Sequence, residues 1–499
     1  MMYTSTRDGG VSVPSAQAIT RGISCDGGLF VPESLPVLRL EELQALTEKS
    51  YAERAEAVLS GFLTDFTREE VRACVRAAYT PEKFRTPAIA PLRELEPGVH
   101  MLELWHGPTC AFKDMALQIL PHLMQVSVGK TAGGREIVIL VATSGDTGKA
   151  ALEGFRDAPG TRILVFYPED GVSPMQKLQM TTQEGENVSV CAIRGNFDDA
   201  QSGVKAIFTD KDIAADLEKE NRMFSSANSI NWGRLVPQIV YYVSAYCDLL
   251  KAGSLALGEP MNVVVPTGNF GNILAAYYAR KMGLPVARLI CASNVNNVLT
   301  DFIRTGTYDR NRVFHTTASP SMDILISSNL ERLLYDMSGR DAGEIRRLMA
   351  SLVKEGRYTV SPAMHGEIQS LFSAGWCSDG QTAATIAETF RKSGYLLDTH
   401  TAVGVAVYRG YRRETGDATP AVIASTANPY KFSASVLKAL GEDDGALDEF
   451  GKVERLAAVT GCPVPPPLAN LRGRTPRFTK VCGREEMKDV VYATLHIGE

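Results

Sequence analysis

The chain has 499 residues, 44% of them hydrophobic and 22% charged, with 52 Lys and Arg against 57 Asp and Glu for a net charge of −5. These values exclude a disordered chain and argue against a nucleic-acid binder, whose footprint is basic. At about 150 residues per domain, the length leaves room for roughly three domains. Nine cysteines are scattered with no CxxC pair, and seven histidines show no HExxH. Neither a disulfide framework nor a metal site is expected from such spacing. The opening MMYTSTRDGG has no apolar core of a secretory leader, and the longest apolar runs, such as residues 137–142, are far shorter than a membrane span. The expectation is a cytoplasmic α/β protein with reduced thiols and no membrane or nucleic-acid partner.

Along the chain, Asp26-Gly27-Gly28 marks a turn, and residues 40–48 and 68–78 have helical apolar spacing. From Arg135 the pattern alternates. Strands are predicted over 137–142, 162–167, 188–193 and 262–265, and helices over 149–157, 174–181, 198–208 and 273–281. Alternation of this kind predicts βαβ units and mainly parallel sheets covered on both faces. Leu235, Ile239, Val243, Tyr246 and Leu250 share one helical face, which reads as a core helix with Pro237 in its first turn. Residues 339–356 form a charged amphipathic stretch. The acidic, Gly-rich residues 441–451 and the prolines at 463 and 465–467 read as a C-terminal extension with extended segments.

Four polar segments follow predicted strands or sit in apolar settings. Residues 266–272 (Pro-Thr-Gly-Asn-Phe-Gly-Asn) lie between a strand and a helix, where glycines and free N–H groups can cradle a phosphate. An ordinary βα turn is the alternative, and the pattern is neither GxGxxG nor a Walker A loop. Residues 143–148 (Thr-Ser-Gly-Asp-Thr-Gly) have the same context, with helix capping by Asp146 or Thr147 as the alternative. Lys113 is flanked by Ala111, Phe112, Met115, Ala116 and Leu117. Such a setting disfavours the ammonium and frees an amine that can form a Schiff base with a carbonyl cofactor. Cys110 reads as a buried inert thiol. Residues 425–432 (Ser-Thr-Ala-Asn-Pro-Tyr-Lys-Phe) look like a strand end, with hydroxyls able to meet a ring nitrogen or to satisfy a turn.

Taken together with residues 22–32, 102–105, 228–232 and 400–404, these segments resemble the threonine synthase family, in its longer bacterial and fungal form. The resemblance implies a fold type II, tryptophan-synthase-β-like α/β fold with two open, mainly parallel sheets flanked by helices. A mostly helical N-terminal segment (1–95) would precede a catalytic region of two α/β subdomains (96–440) and a C-terminal extension (441–499). It also implies pyridoxal 5'-phosphate (PLP) as cofactor. The implied activity is conversion of O-phospho-L-homoserine and water to L-threonine and phosphate, by a monomer or homodimer. Lys113 would hold the cofactor and act as the catalytic base. Gly268, Asn269, Phe270, Gly271 and Asn272 would cradle its phosphate, and Thr426 would meet its ring nitrogen. Ser144, Asp146 and Thr147 would line the substrate's carboxylate, with Asn228, Ser229, Asn231 and Arg234 nearby. Lys149 and Arg234 are candidates for the substrate phosphate. The family reads His and Ala where this chain has Asn428 and Tyr430. Other outcomes compatible with the same cofactor residues are a phospho-lyase releasing a 2-oxo acid and a non-catalytic PLP-binding protein.

Overall fold

The computed structural model describes residues 1–170, 172–442 and 445–497; Asp443, Asp444, Gly498 and Glu499 of the expected C-terminal extension lie outside the described residues. Two open sheets dominate. The first runs in the order Val481–Cys482, Val188–Ile193, Thr161–Pro168, Glu136–Ala142, Arg222–Ser225, with every neighbour parallel. The second runs Phe372–Trp376, Val286–Ser293, Met261–Pro266, Ala421–Ser425, Val99–Glu103, Leu92–Glu96. It is parallel except at its last pair, where a tight turn closes a hairpin. The predicted strands near 137–142, 162–167, 188–193 and 262–265 are these central strands. They are short runs of β-branched residues buried on both faces.

Helix Trp232–Lys251 passes through the middle of the molecule, with residues 232–247 all buried. Its surface is mostly apolar over this stretch, so it is buried all round rather than on one stripe, with Arg234 and Gln238 among the buried polar exceptions. Pro237 lies inside the helix, past the first turn in which the sequence pattern places it, so the helix forgoes one main-chain hydrogen bond there. The N-terminal segment combines the helices Leu40–Leu46, Tyr51–Phe62 and Arg68–Ala78 with a small antiparallel sheet of Met2–Ser5, Val13–Pro14 and Phe30–Pro32. Each of the two longer helices starts at a hydroxyl followed three residues later by Glu, Ser50/Glu53 and Thr67/Glu70, a reciprocal cap.

The C-terminal segment departs from its predicted extended character. It carries helices Glu449–Thr460 and Met487–Leu495, and only Val481–Cys482 is strand, added to the free edge of the first sheet. The prolines confine helix starts rather than abolishing helix, since Pro466 occupies a first-turn position of Pro466–Ala469. Among the described residues no helix is long and apolar enough to cross a membrane.

One buried cation joins three parts of the chain. Arg332, fully buried, donates to the carbonyl of Phe30 (3.0 Å), to Asn329 Oδ1 (2.5 Å) and to the carbonyl of Ile230 (2.6 Å). Truncation would strand three acceptors. Arg332→Met is therefore expected to cost about 3 kcal/mol, read as a lowered urea midpoint; an unchanged midpoint would show that these contacts are dispensable.

Candidate active site

Four chain segments meet where the two sheets face one another, each at or just beyond the carboxyl end of a parallel strand, the place where open α/β sheets present ligands. They line a cavity of about 1310 Å³.

Strand Glu136–Ala142 delivers Thr143-Ser144-Gly145-Asp146 to it. Gly145 has φ +132°, and a Cβ there would lie 2.6 Å from the carboxamide of Gln176, so this position is confined to glycine. Thr143 Oγ1 accepts from the N–H groups of Gly145 (3.0 Å) and Gly148 (2.9 Å), and so caps helix Asp146–Phe155 in place of the expected Asp146 or Thr147. Asp146 is left free to face a cluster of charge. Its Oδ1 accepts from Gln176 Nε2 (2.8 Å) and lies 2.5 Å from Lys431 Nζ, while its Oδ2 lies 3.5 Å from Lys113 Nζ.

Lys113 belongs to a loop pinned from beneath. The N–H of Phe112 donates to the carbonyl of Thr426 (2.8 Å), Ala111 bridges Ala427, and the N–H of Asn428 donates to the carbonyl of Cys110 (3.0 Å). Asp114 turns back on Thr109, accepting from its N–H and its hydroxyl at 2.8 Å each. Burial pushes the Asp114 carboxyl up to about 6 against these bonds. Burial also brings the Lys113 ammonium down to about 8; Asp146 opposes this shift, and Arg234 and Lys431 add to it. Burial raises the Asp146 carboxyl, but Lys431 and Lys113 outweigh it and hold the group well below the usual carboxylate range. Cys110 is buried and its thiol is pushed up to about 11 by that burial, so it is a poor nucleophile.

Strand Met261–Pro266 leads into Thr267–Asn272 and helix Gly271–Met282. Here the backbone passes close to a facing loop. A Cβ on Gly268 would lie 2.6 Å from the carbonyl oxygen of Ser321. The carbonyls of Gly268 and Asn269 are taken by Ser327 Oγ (2.7 Å) and Asn329 Nδ2 (3.0 Å), and Phe270 adopts φ +65° before the helix. Gly271 and Asn272, the first residues of the helix, line the cavity, at the end of a helix whose first N–H groups have no intrahelical acceptor. Asn272 is buried, its Oδ1 accepts from Tyr242, and its Nδ2 has no partner. His400, also on the wall, accepts the Ser321 N–H at Nε2 (3.1 Å) and holds Asp398 Oδ1 at Nδ1 (3.1 Å).

Of the expected residues, Lys113, Ser144, Asp146, Thr147, Asn228, Ser229, Arg234, residues 268–272 and Thr426 all line this cavity. Asn231 and Lys149 do not. Asn231 caps helix Trp232–Lys251 through the Gly233 N–H (2.9 Å) and donates to the carbonyls of Ile19 (3.0 Å) and Ser226 (2.8 Å), which uses its whole amide. Lys149 turns away to Glu153 (3.0 Å) and to Gln183. Its place at helical spacing from Glu153 pulls it off the cavity. Arg234 remains a buried cation with no carboxylate within salt-bridge distance among the described residues. It donates to the carbonyl of Ala227 (2.9 Å) and to Thr147 Oγ1 (3.4 Å). Burial lowers it only to about 10, so it stays charged near neutral pH. Asn428 is likewise absent from the wall. Its Oδ1 accepts the Tyr430 N–H (3.1 Å) and caps the short turn Pro429–Phe432.

Lys431 and Gln176 carry no role in the sequence reading. Lys431 lies between Tyr430 and Phe432, the same lysine-among-apolar-residues signal that singled out Lys113. Gln176 had no comparable signal.

Three family models cover most of the chain: threonine synthase N terminus over residues 2–79, pyridoxal-phosphate dependent enzyme over 80–367, and threonine synthase, C-terminal, over 401–491. The chain belongs to the threonine synthase family of pyridoxal-phosphate-dependent enzymes. It is 42% identical to human threonine synthase-like 1 over 435 residues, which are 85% of this chain and 58% of that protein. The chain thus spans about three fifths of that relative's length. It is also 42% identical to the threonine synthase of Pseudomonas aeruginosa, over 88% of this chain and 90% of that one. The crystal structure of PLP-bound threonine synthase from Brucella melitensis superposes with a TM-score of 0.87 at 38% identity, covering both chains completely.

The residues present fit PLP. A buried lysine with a near-neutral amine stands across the cavity from a helix N-terminus that has a bare backbone at Gly268 and an unpartnered buried amide at Asn272. Two predictions follow from this geometry. In the cofactor-free chain, methylation of Lys113 read by mass spectrometry should show a midpoint near pH 8, against 10.5 for an ordinary lysine; a midpoint near 10.5 would contradict the burial effect. Gly268→Ala forces the loop off Ser321 and should weaken cofactor retention at least about tenfold, the equivalent of roughly 1.4 kcal/mol, measured by absorbance titration; unchanged retention would show that the close approach is not needed.

Proposed function

We propose that the chain converts O-phospho-L-homoserine and water to L-threonine and phosphate. The reading rests above all on the Lys113 amine, buried, near-neutral and fixed beside Asp146 where the four strand-end segments meet. Family membership supports the choice of reaction.

In this reading residues 268–272 hold the cofactor phosphate through the N–H groups opening helix Gly271–Met282, where the helix dipole favours an anion. Thr426 meets the ring nitrogen as a hydroxyl, which does not force that nitrogen to carry a proton as a carboxylate would. When bound, PLP supplies the electron sink that makes loss of a proton next to the amino carbon feasible. Ser144 and Thr147 orient the substrate carboxylate at the start of helix Asp146–Phe155. Lys113 Nζ takes the proton from Cα and returns protons in later steps, a role suited to an amine that gains and loses a proton near neutral pH. Arg234 is the cation for the substrate's anionic groups, with Asn228 and Ser229 beside it; Lys149, committed to Glu153 and Gln183, takes no part. Asn428 shapes a turn rather than the cavity, so its departure from the family pattern is compatible with the same substrate.

Water must be kept from the reacting carbons until its turn. Exposed Phe314 and Ile326 stand on one lip of the cavity and Phe197 and Phe208 line the other, and their approach would exclude solvent.

The test is direct. PLP-loaded protein incubated with O-phospho-L-homoserine should yield threonine and one equivalent of phosphate; a 2-oxo acid would move the function to a phospho-lyase, and no product would leave a non-catalytic relative. Lys113→Ala should abolish both the cofactor's visible absorbance and turnover, and an active variant would refute the role given to Lys113. A substrate analogue should slow proteolysis of the loaded chain; equal rates with and without it would refute closure.

A further inference from the structure

Lys431 is fully buried beside the cavity, yet it does not line it. An ammonium in such a place is costly unless paired and hydrogen-bonded. Its Nζ lies 2.5 Å from Asp146 Oδ1 and donates to the carbonyl of Thr109 at 3.0 Å. Gln176 Nε2 donates to the same Oδ1 at 2.8 Å. The other carboxylate oxygen faces Lys113 Nζ at 3.5 Å, outside the 2.7–2.9 Å typical of a charge-assisted hydrogen bond. One carboxylate is thus shared between two lysines, and the tight contact belongs to the lysine away from the cavity.

We propose that Lys431 is a positioning residue: it satisfies the charge of Asp146, so that this carboxylate fixes the place of Lys113 without holding a proton on its amine. The idea rests on the reading of Lys113 as the reactive amine, but not on which product the enzyme forms.

The charge arrangement follows from the geometry. Lys113 faces Asp146, Lys431 and Arg234, with the ring of Phe112 4.7 Å away. Lys431 faces Asp114 and Cys110 as well as Asp146, and Arg85 and Glu153 act on that pair from the other side. Two cations and one anion around Lys113 leave an excess of positive charge, which favours the uncharged amine. Without Lys431 that excess would be gone, with Arg234 and Asp146 offsetting one another. Asp146, freed from its 2.5 Å contact, would keep the Gln176 bond and have Lys113 as its one ion-pair partner. A lysine that served only to pin Thr109 would have neither effect.

The experiment titrates Lys113 in the full-length, cofactor-free chain by trace reductive methylation with formaldehyde and cyanoborohydride, quantified at Lys113 by mass spectrometry across pH. Lys431→Met should raise the midpoint by at least about one pH unit, a tenfold loss of free amine at fixed pH. Asp146→Asn combined with Lys431→Met should bring the midpoint back to the wild-type value or below, because the carboxylate that would retain the proton is gone. An unmoved midpoint in Lys431→Met overturns the proposal, as does a double variant that keeps the raised midpoint. Should the single variant not fold, the double variant decides: a folded chain with a wild-type or lower midpoint supports the proposal, and a raised midpoint or failure to fold overturns it. Because the readout is the Lys113 amine and not the product, this result stands apart from the assay with O-phospho-L-homoserine.

Discussion

A lysine amine can be reactive near neutral pH only if water is kept from its ammonium form, and a buried amine must then be held in place without being given a proton by its partner. The cluster of Lys113, Asp146 and Lys431 meets both demands with one shared carboxylate. Much of the surrounding structure serves that cluster. Gln176, from helix Pro174–Thr181, fixes one carboxylate oxygen, and its own side chain requires glycine at 145. Thr143 takes over helix capping so that Asp146 need not. The loop carrying Lys113 is tied to the end of strand Ala421–Ser425 by main-chain bonds at Phe112 and Asn428, which place Lys431 beneath it.

The two sheets divide the work. The first supplies Asp146 and its neighbours; the second supplies the loop of residues 267–272, the Thr426 strand end and, just beyond Val99–Glu103, the lysine loop. Neither half encloses the cavity alone. The long buried helix Trp232–Lys251 lies among them and contributes Arg234 from its first turn. The N-terminal segment is bound in by Arg332 at Phe30 and by Arg7, whose Nε and Nη2 donate to the two carboxylate oxygens of Glu331 at 2.9 and 2.7 Å. These buried contacts are directional, and they specify which surfaces meet more than they add to net stability.

Asn428 and Tyr430, where the sequence resemblance leads one to expect His and Ala, both act at the strand end that carries Thr426. Asn428 caps the turn that positions Lys431, and Tyr430 reaches from it to the carbonyl of Cys462 at 2.5 Å. The second contact ties the C-terminal segment to the loop beneath the cavity. Further along, Val481–Cys482 closes the edge of the first sheet, so the C-terminal segment touches both halves of the molecule and protects a strand edge that would otherwise be open to pairing.

Local pattern made much of this legible. The central strands are short and buried on both faces, so they read as continuous β-branched runs, and the glycine-rich loops after them stand out because only glycine admits such close backbone approach. Lys113 was visible from its apolar neighbours. Strand Arg222–Ser225 is half-buried and Val286–Ser293 is interrupted by Arg288, so neither reads as a continuous apolar run, and helices Glu449–Thr460 and Met487–Leu495 lie on either side of the prolines that make the segment read as extended. Lys149 read as a candidate because the substrate phosphate needs a cation, yet Glu153, one helical turn on, draws it aside. Sequence determined which residue types stand at the strand ends, since burial and backbone geometry restrict those choices locally. Which of two lysines takes the close contact with Asp146, and which cations remain free to meet a ligand, was decided only by the tertiary structure, because electrostatic partnership depends on distances of a few ångströms between residues up to 285 positions apart.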